Sequence, residues 1–349
     1  MKQTVTTSSI PLDMRQTANM QTGQEPGKYA DKPPLVILTG PTAVGKSELS
    51  IGLARKVGGE IISADSMQVY RRMDIGSAKI MPQQMGGIPH HLIDIMEPTE
   101  EFNVVAFQQL AKQAMKEIYG RGHIPILVGG TGFYIQAVLY DIDFTENDED
   151  TALRGELEEI AKKQGCGVLY EQLRRIDPES CETIHANNVK RVIRAIEFYK
   201  KTGIKISEHN KKQRQNDSPY KFAYFVLSDD RARLYSRIET RIDAMLEQGL
   251  VDEVSRLAKQ GCTRDMVSMQ GLGYKEILDY LDGHMTLEEA VYRMKRDTRH
   301  FAKRQLTWFR RERDVIWVDK QEFAYDDGCI LAYMAKALED RNVCGKSPE

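Results

Sequence analysis

The sequence predicts an α/β protein in which a parallel sheet flanked by helices is interrupted by a helical insertion. Three observations carry that reading. Short unbroken apolar runs, Leu35–Leu38, Ile124–Val128 and Phe222–Leu227, have the look of strands buried on both faces, as parallel strands are. Amphipathic helical stripes follow them. After about Asp141 the strand–helix rhythm stops, and for roughly seventy residues only helical periodicity remains.

The first strand runs straight into Gly40-Pro41-Thr42-Ala43-Val44-Gly45-Lys46-Ser47, which meets every fixed position of the phosphate-binding loop G-x-x-x-x-G-K-[ST]. Leu49, Leu53 and Val57 then recur every four residues, one face of a helix. A strand, a glycine turn and a helix N-terminus thus stand in the required order. In such a loop successive backbone N–H groups point at an anion, the helix dipole adds partial positive charge, Lys46 adds a full charge, and the Ser47 hydroxyl can ligate Mg²⁺. The loop therefore binds a polyphosphate, and the fold is P-loop NTPase-like. An accidental glycine turn would need neither the strand before it nor the helix after it.

Glu60–Ser63 reads as the second strand, ending in Ala64-Asp65-Ser66. A carboxylate at the C-terminal end of a strand sits where open α/β sheets place their chemistry. Asp65 is a candidate for proton transfer, with helix capping and water-mediated ordering of Mg²⁺ as alternatives that position alone leaves open. Met67 to Lys79 is mixed in period and reads as a short helix leading into a loop. The adjacent His90 and His91 point in different directions, so structural roles are favoured over a shared metal site. Phe107, Leu110, Ala114 and Ile118 trace a helical stripe that ends near Gly120. The strand Ile124–Val128 then meets Gly129-Gly130-Thr131-Gly132, a second glycine turn, whose glycines permit close backbone approach and whose Thr131 offers a hydroxyl.

Acidic residues, Asp143, Glu146, Asp148 and Glu149 among them, lead into the insertion. There Leu153, Leu157 and Ile160 form one apolar stripe and Val189, Val192, Ile193 and Ile196 another, with Lys190, Arg191 and Arg194 on the polar face of the second. The sheet resumes at Phe222–Leu227 and a long helix follows, with Leu234, Ile238, Ile242 and Met245 inward and Arg233, Arg237 and Arg241 four apart on another face. Beyond the turn Gly271–Tyr274, helices reach Arg313, and Val315–Val318 is a last strand. Between Tyr292 and Arg313 nine cations (Arg293, Lys295, Arg296, Arg299, Lys303, Arg304, Arg310, Arg311, Arg313) face only Asp297 and Glu312. With aromatics between them they suit an RNA surface, although Trp308 and Phe309 equally suit a core.

The 349 residues carry 29% charged side chains and a net charge of −2, so any nucleic-acid footprint is local. Five scattered cysteines form no C-x-x-C pair, and the reading is reduced thiols in a cytoplasmic protein with no membrane segment. The expected organisation is a flexible tail over 1–33, a catalytic domain over 34–143 and 219–340, and the insertion over 144–218. The residues from Arg341 to Pro348 read like the tail.

From Pro34 to Asp319 the chain resembles the tRNA dimethylallyltransferases, also called tRNA isopentenyltransferases. The matching pieces are GPTAVGKS (Gly40 to Ser47), ADSMQVYRRMDIGSAK (Ala64 to Lys79), GGTGFY (Gly129 to Tyr134), KRVIRAIE (Lys190 to Glu197), RIETRIDAMLEQG (Arg237 to Gly249), MQGLGYKE (Met269 to Glu276) and FAKRQLTWFR (Phe301 to Arg310). Val44 and Ser77 depart from the family's Ala or Ser and Thr, and neither departure removes a reacting group. The resemblance implies that the donor is dimethylallyl diphosphate and the acceptor is N6 of adenine 37, just 3′ of the anticodon, in tRNAs reading codons that begin with U. It implies Asp65 as general base, Lys46 and Arg241 as cations on the diphosphate, Thr131 as the group orienting the bridging oxygen, and Mg²⁺ on Ser47. Gly40 and Thr42 to Ser47 would hold the diphosphate. The tRNA anticodon stem-loop would meet Asp65, Ser66, Met67, Gln68, Thr131, Lys190, Arg191, Val192, Ile193, Arg194, Met269, Gln270, Gly271, Leu272, Gly273 and Tyr274, with the target base flipped toward Asp65. A monomer is expected.

The same phosphate loop would serve a small-molecule or nucleotide kinase, the rival reading. Against it stand the basic helical insertion and the lack of an Arg-rich lid between strands. A non-catalytic RNA-binding NTPase would need no role for Asp65, and an adenylate prenyltransferase would need neither the insertion nor the basic surfaces.

Overall fold

The computed structural model describes residues 32–144 and 151–344, without the side chains of residues 151, 214 and 215. The expectations for the tail over 1–31, for Glu146, Asp148 and Glu149, and for 345–348 lie outside the described residues. The first half of the chain runs β1 (Pro34–Thr39), α1 (Lys46–Val57), β2 (Gly59–Ser63), β3 (His90–His91), α2 (Val104–Gly120), β4 (Ile124–Gly129) and α3 (Gly132–Leu139). Four helices come next: α4 (Thr151–Gln164), α5 (Cys166–Ile176), α6 (Val189–Thr202) and α7 (Ile206–Gln215). The chain then forms β5 (Lys221–Ser228), α8 (Arg231–Glu247), α9 (Leu250–Lys259), α10 (Tyr274–Leu281), α11 (Leu287–Phe309), β6 (Val315–Asp319) and α12 (Asp327–Asp340).

The sheet order is β3-β2-β4-β1-β5-β6, and every pairing is parallel. This is the predicted class. β1 is central, with Val36 opposite Ile126 of β4 on one side and Ala223 of β5 on the other. The chain leaves β1 for strands on one side and later returns to lay β5 and β6 on the other, so the loop after β1 lies at a topological switch point. Leu35 to Leu38 are fully buried, as an apolar run covered on both faces must be.

Two apolar cores are present. One gathers the sheet and the helices around it. The other, inside the insertion, is built from Leu157, Leu169, Leu173, Val192, Ile193 and Ile196 and shares no residue with the first.

The edge of the sheet explains the two histidines. His90 Nδ1 lies 2.8 Å from the Ile88 carbonyl oxygen, while His91 Nε2 lies 2.7 Å from Glu60 Oε2. Glu60, buried at the start of β2, also takes Arg121 on both oxygens and His123 Nδ1 at 2.7 Å. Arg121 foremost, with both histidine hydrogen bonds and against the effect of burial, holds the Glu60 carboxyl at about 2. The histidines are structural, as expected.

One expected element is absent. Met67 to Lys79 forms turns rather than a short helix. Arg72 and Ala78 adopt positive φ, and the N–H groups of Asp74, Ile75 and Gly76 donate to the Glu253 carboxylate of α9 instead of to carbonyls one helical turn back.

Candidate active site

The phosphate loop passes through left-handed backbone at two positions, one of them a glycine. Ala43 has φ 64° and Gly45 has φ 98° immediately before α1 begins at Lys46. The Lys46 ammonium reaches back across the loop, donating to the carbonyls of Gly40 at 3.0 Å and Pro41 at 2.8 Å. Burial lowers its pKa to about 8, the Asp65 carboxylate partly opposes that, and Arg241 adds to it. Arg241 is likewise pushed down by burial and pulled up by Asp65. Lys46, Arg241 and Asp65 thus form one electrostatic unit.

Asp65 leaves the end of β2 in a turn. Its Oδ1 accepts from the N–H groups of Met67 at 2.8 Å and Gln68 at 3.3 Å. Its Oδ2 has no hydrogen-bond partner among the described residues. Both the capping reading and an open oxygen are therefore present in the one carboxylate. The second glycine turn stands beside it, since the Thr131 N–H points at the Ala64 carbonyl at 3.4 Å. At Gly132 an added Cβ would lie 2.3 Å from two atoms of the Trp308 indole, so the side chain from α11 rests against bare backbone there.

Two helices close the loop from outside. From α8, Arg241 Nη1 lies 3.4 Å from Thr42 Oγ1 and Arg237 Nε donates to the Ala43 carbonyl at 2.8 Å. From α11, the buried Gln305 accepts from the Thr42 N–H at 2.9 Å and donates to the Gly130 carbonyl at 3.0 Å. One amide therefore joins the two glycine turns. Of the amides expected to hold the diphosphate, that of Thr42 is engaged by Gln305 and that of Val44 points at the Pro41 carbonyl at 3.4 Å, which leaves those from Gly45 to Ser47 to face an anion. Ser47 is exposed at the start of α1, and its hydroxyl has no partner among the described residues.

Two of the stretches expected to meet RNA are in mutual contact. Met67 packs over Gly271, and the Tyr274 ring fills the space left by Gly76, where a Cβ would lie 2.6 Å from the ring. The Tyr274 hydroxyl donates to Glu253 at 2.8 Å. Ser66 and Gln68 are half-buried, Gln270 is exposed, and Gly271 and Leu272 are half-buried, whereas Met269, Gly273 and Tyr274 are buried. The third stretch lies apart on α6. Lys190, Arg191 and Arg194 face outward, while Val192 and Ile193 are core residues of the insertion, so their side chains as placed hold the helix rather than meet a ligand.

Sequence reasoning did not single out Gln305 or Glu253, and it named Arg237 only in a row with Arg233 and Arg241, without a role at the loop. Gln305 and Arg237 fall inside the blocks FAKRQLTWFR and RIETRIDAMLEQG; Glu253 falls outside every quoted block, and its buried position on the apolar face of α9 is a signal visible only after folding. Among the described residues no group of three or more histidine, cysteine, aspartate or glutamate side chains could hold a metal ion, and no helix is long and apolar enough to cross a membrane.

A family model described as IPP transferase matches residues 68–312. A tRNA dimethylallyltransferase of Lachnoclostridium phytofermentans is 61% identical over 310 residues, covering 89% of this chain and 99% of the relative. The crystal structure of a tRNA isopentenylpyrophosphate transferase from Bacillus halodurans superposes with a TM-score of 0.67 at 46% identity, covering 89% of this chain and 98% of that one. A eukaryotic dimethylallyltransferase captured acting on tRNA superposes with a TM-score of 0.75 at 30% identity, covering 89% and 80%. By sequence and by fold, the chain belongs to the IPP transferase family, the family of the tRNA dimethylallyltransferases.

Proposed function

We propose that the protein transfers the dimethylallyl group of dimethylallyl diphosphate to N6 of adenine 37 in tRNAs that read codons beginning with U, as a monomer in the cytoplasm. The observation that carries this reading is the placement of a carboxylate with one open oxygen, Asp65, beside a phosphate loop whose cations Lys46 and Arg241 feel its charge.

The chemistry has two halves. An adenine amino group is a poor nucleophile, so its proton must leave as the new C–N bond forms; Asp65 Oδ2 accepts that proton while Oδ1 stays anchored in the turn. In the same step the allylic C–O bond breaks, and its electron pair departs on the diphosphate. Lys46, Arg241 and the amides from Gly45 to Ser47 meet that charge, and losing a single such donor costs on the order of 10²-fold or more in comparable sites. Thr131, next to Ala64 and Asp65, orients the bridging oxygen. The free hydroxyl of Ser47 and the diphosphate oxygens are hard donors that suit Mg²⁺, which when bound would neutralise part of the departing charge. The kinase reading gains no observation from the site.

Incubating tRNA with the protein, dimethylallyl diphosphate and Mg²⁺, followed by nucleoside analysis, tests this. The expected product is N6-isopentenyladenosine, formed with equimolar pyrophosphate. Turnover of ATP without any prenylated nucleoside would replace this reading with the kinase.

A further inference from the structure

Lys320 is the first residue after β6 and opens a short 3₁₀ turn, Lys320–Phe323. It is only 8% exposed, and taking an ammonium out of water is costly unless it is both paired and hydrogen-bonded. The carboxylate beside it, Asp327, lies 3.1 Å away at the start of α12, yet Asp327 Oδ1 is buried without a hydrogen bond, so the two groups are close but poorly aligned. The ammonium makes no hydrogen bond among the described residues. What it faces is the phosphate loop. A Cβ on Gly45 would lie 3.3 Å from Lys320 Nζ and 3.8 Å from Arg237 Nη2, so two cations from different elements meet over one bare backbone position. Gly45 begins the part of the loop whose amides are left for an anion, whereas the Lys46 ammonium lies across the other part, on the carbonyls of Gly40 and Pro41. Arg237 is tied to the Ala43 carbonyl, and Lys320 has no such tie.

The segment that carries Lys320 is fixed on both flanks. Ala324 (φ 49°) and Tyr325 (φ 62°) take left-handed backbone in succession, a conformation that costs free energy in residues other than glycine and persists where the surroundings impose it. The surroundings here are α8, whose Arg233 lies over the Tyr325 ring at 3.8 Å, and α12, which Asp326 caps and whose Leu331 packs where Gly52 of α1 lacks a side chain. Lys320 therefore stands firmly at the carboxyl end of a strand, in the row where an open α/β sheet binds its ligands. In the sheet order β6 lies two strands to one side of β1, and β2, which leads to Asp65, lies two strands to the other. Lys320 thus approaches the loop from the side opposite Asp65, away from the groups assigned to the acceptor.

We propose that Lys320 binds the diphosphate of the donor, as a further cation of the phosphate loop, and that Asp327 competes with the diphosphate for it. An anion seated on the amides from Gly45 to Ser47 supplies the aligned acceptor that Asp327 does not, within a short swing of a flexible four-carbon stem. The proposal rests on the prenyl-diphosphate reading and adds a residue to that same site.

The test is a double-mutant cycle read by pyrophosphate affinity, with tRNA affinity and thermal unfolding measured beside it. Lys320→Met keeps the stem and removes the charge, and it should weaken pyrophosphate binding roughly 10- to 100-fold, the range for a hydrogen bond to a charged group. Lys320→Arg should recover most of that loss. Asp327→Asn removes the competitor and should tighten pyrophosphate binding by roughly threefold or more, a gain that should vanish in the Lys320→Met background. Affinity for tRNA should stay within about twofold in every variant. If Lys320 and Asp327 merely fasten α12, Asp327→Asn should instead lower thermal stability, as Lys320→Met does, and leave pyrophosphate affinity unchanged. That outcome, or a folded Lys320→Met protein within about twofold of wild type, overturns the proposal while leaving the donor reading standing. Should Lys320→Met fail to fold, the Asp327→Asn affinity decides alone, and one no tighter than wild type overturns it. A wild-type protein that does not bind pyrophosphate overturns the donor reading itself.

Discussion

At the scale of single residues, Asp65 divides its work between two oxygens, and the sequence could name the residue but not the division. Position at the end of β2 was legible; that Oδ1 is spent on the Met67 and Gln68 amides while Oδ2 stays open depends on a turn with no sequence periodicity. Asp65→Asn keeps an acceptor for those amides but cannot take a proton. The expected loss is on the order of 10²- to 10⁴-fold in single-turnover transfer, with thermal stability changed by at most a few tenths of a kcal/mol. A variant within about fivefold of wild type, or one rescued by added Mg²⁺, would overturn the base assignment. Lys46 gives a second outcome. Its pKa falls from 10.5 to about 8 on folding, so between those values the unfolded chain binds more protons than the folded one, and this group's contribution to stability rises with pH across that window. Anion binding runs the other way, because it needs the ammonium. Relative to Lys46→Arg, which stays charged and shares the ligand's own titration, wild-type pyrophosphate affinity should fall as pH rises above about 8. A ratio that stays flat from pH 7 to about 10 would show that the ammonium is not depressed.

At the scale of elements, periodicity located every strand of the sheet except the two-residue β3, and most helices, because each satisfies its backbone within itself or with a neighbour of the same kind. The stretch from Met67 to Lys79 does neither. Its amides at Asp74, Ile75 and Gly76 are satisfied by Glu253, as many as 179 residues away in sequence, and no local pattern announces that partner. Lys79, buried, donates to the Tyr70 carbonyl at 2.6 Å and to Asp74 at 2.7 Å from the other end. Glu253 also holds Tyr274, so one carboxylate ties the turns that follow Asp65–Gln68 to the Met269–Tyr274 stretch assigned to the acceptor. Glu253→Gln offers a single acceptor oxygen and turns an NH₂ group toward groups that themselves donate. It should cost about 1–3 kcal/mol of stability and weaken tRNA affinity, with pyrophosphate affinity preserved because the phosphate loop makes no bond to Glu253. Parallel loss of both affinities would mean that the clasp supports the whole site rather than its acceptor side.

At the scale of the whole molecule, the loss of strand rhythm after Asp141 showed that something is inserted, while the sheet order could not be read, because β1 finds its neighbours at residues 124–129 and 221–228. The inserted helices bury their own leucines and isoleucines against one another, and that core shares no residue with the one beneath the sheet. If the insertion serves the acceptor and the sheet serves the donor, damage to one core should separate the two affinities. Leu173 is fully buried in the insertion, among Leu157, Leu169, Val192 and Ile196. Leu173→Ala opens a cavity that should cost about 2–5 kcal/mol, enough to loosen so small a core. Lys190, Arg191 and Arg194 are carried by a helix anchored in that core, so their placement degrades with it. The expected outcome is faster amide exchange across α4 to α7, unchanged exchange in β1 and α1, a loss of tRNA affinity, and pyrophosphate affinity within about twofold of wild type. Exchange that quickens equally in β1, together with weaker pyrophosphate binding, would show that the two cores unfold as one unit and that insertion and sheet do not divide the substrates between them.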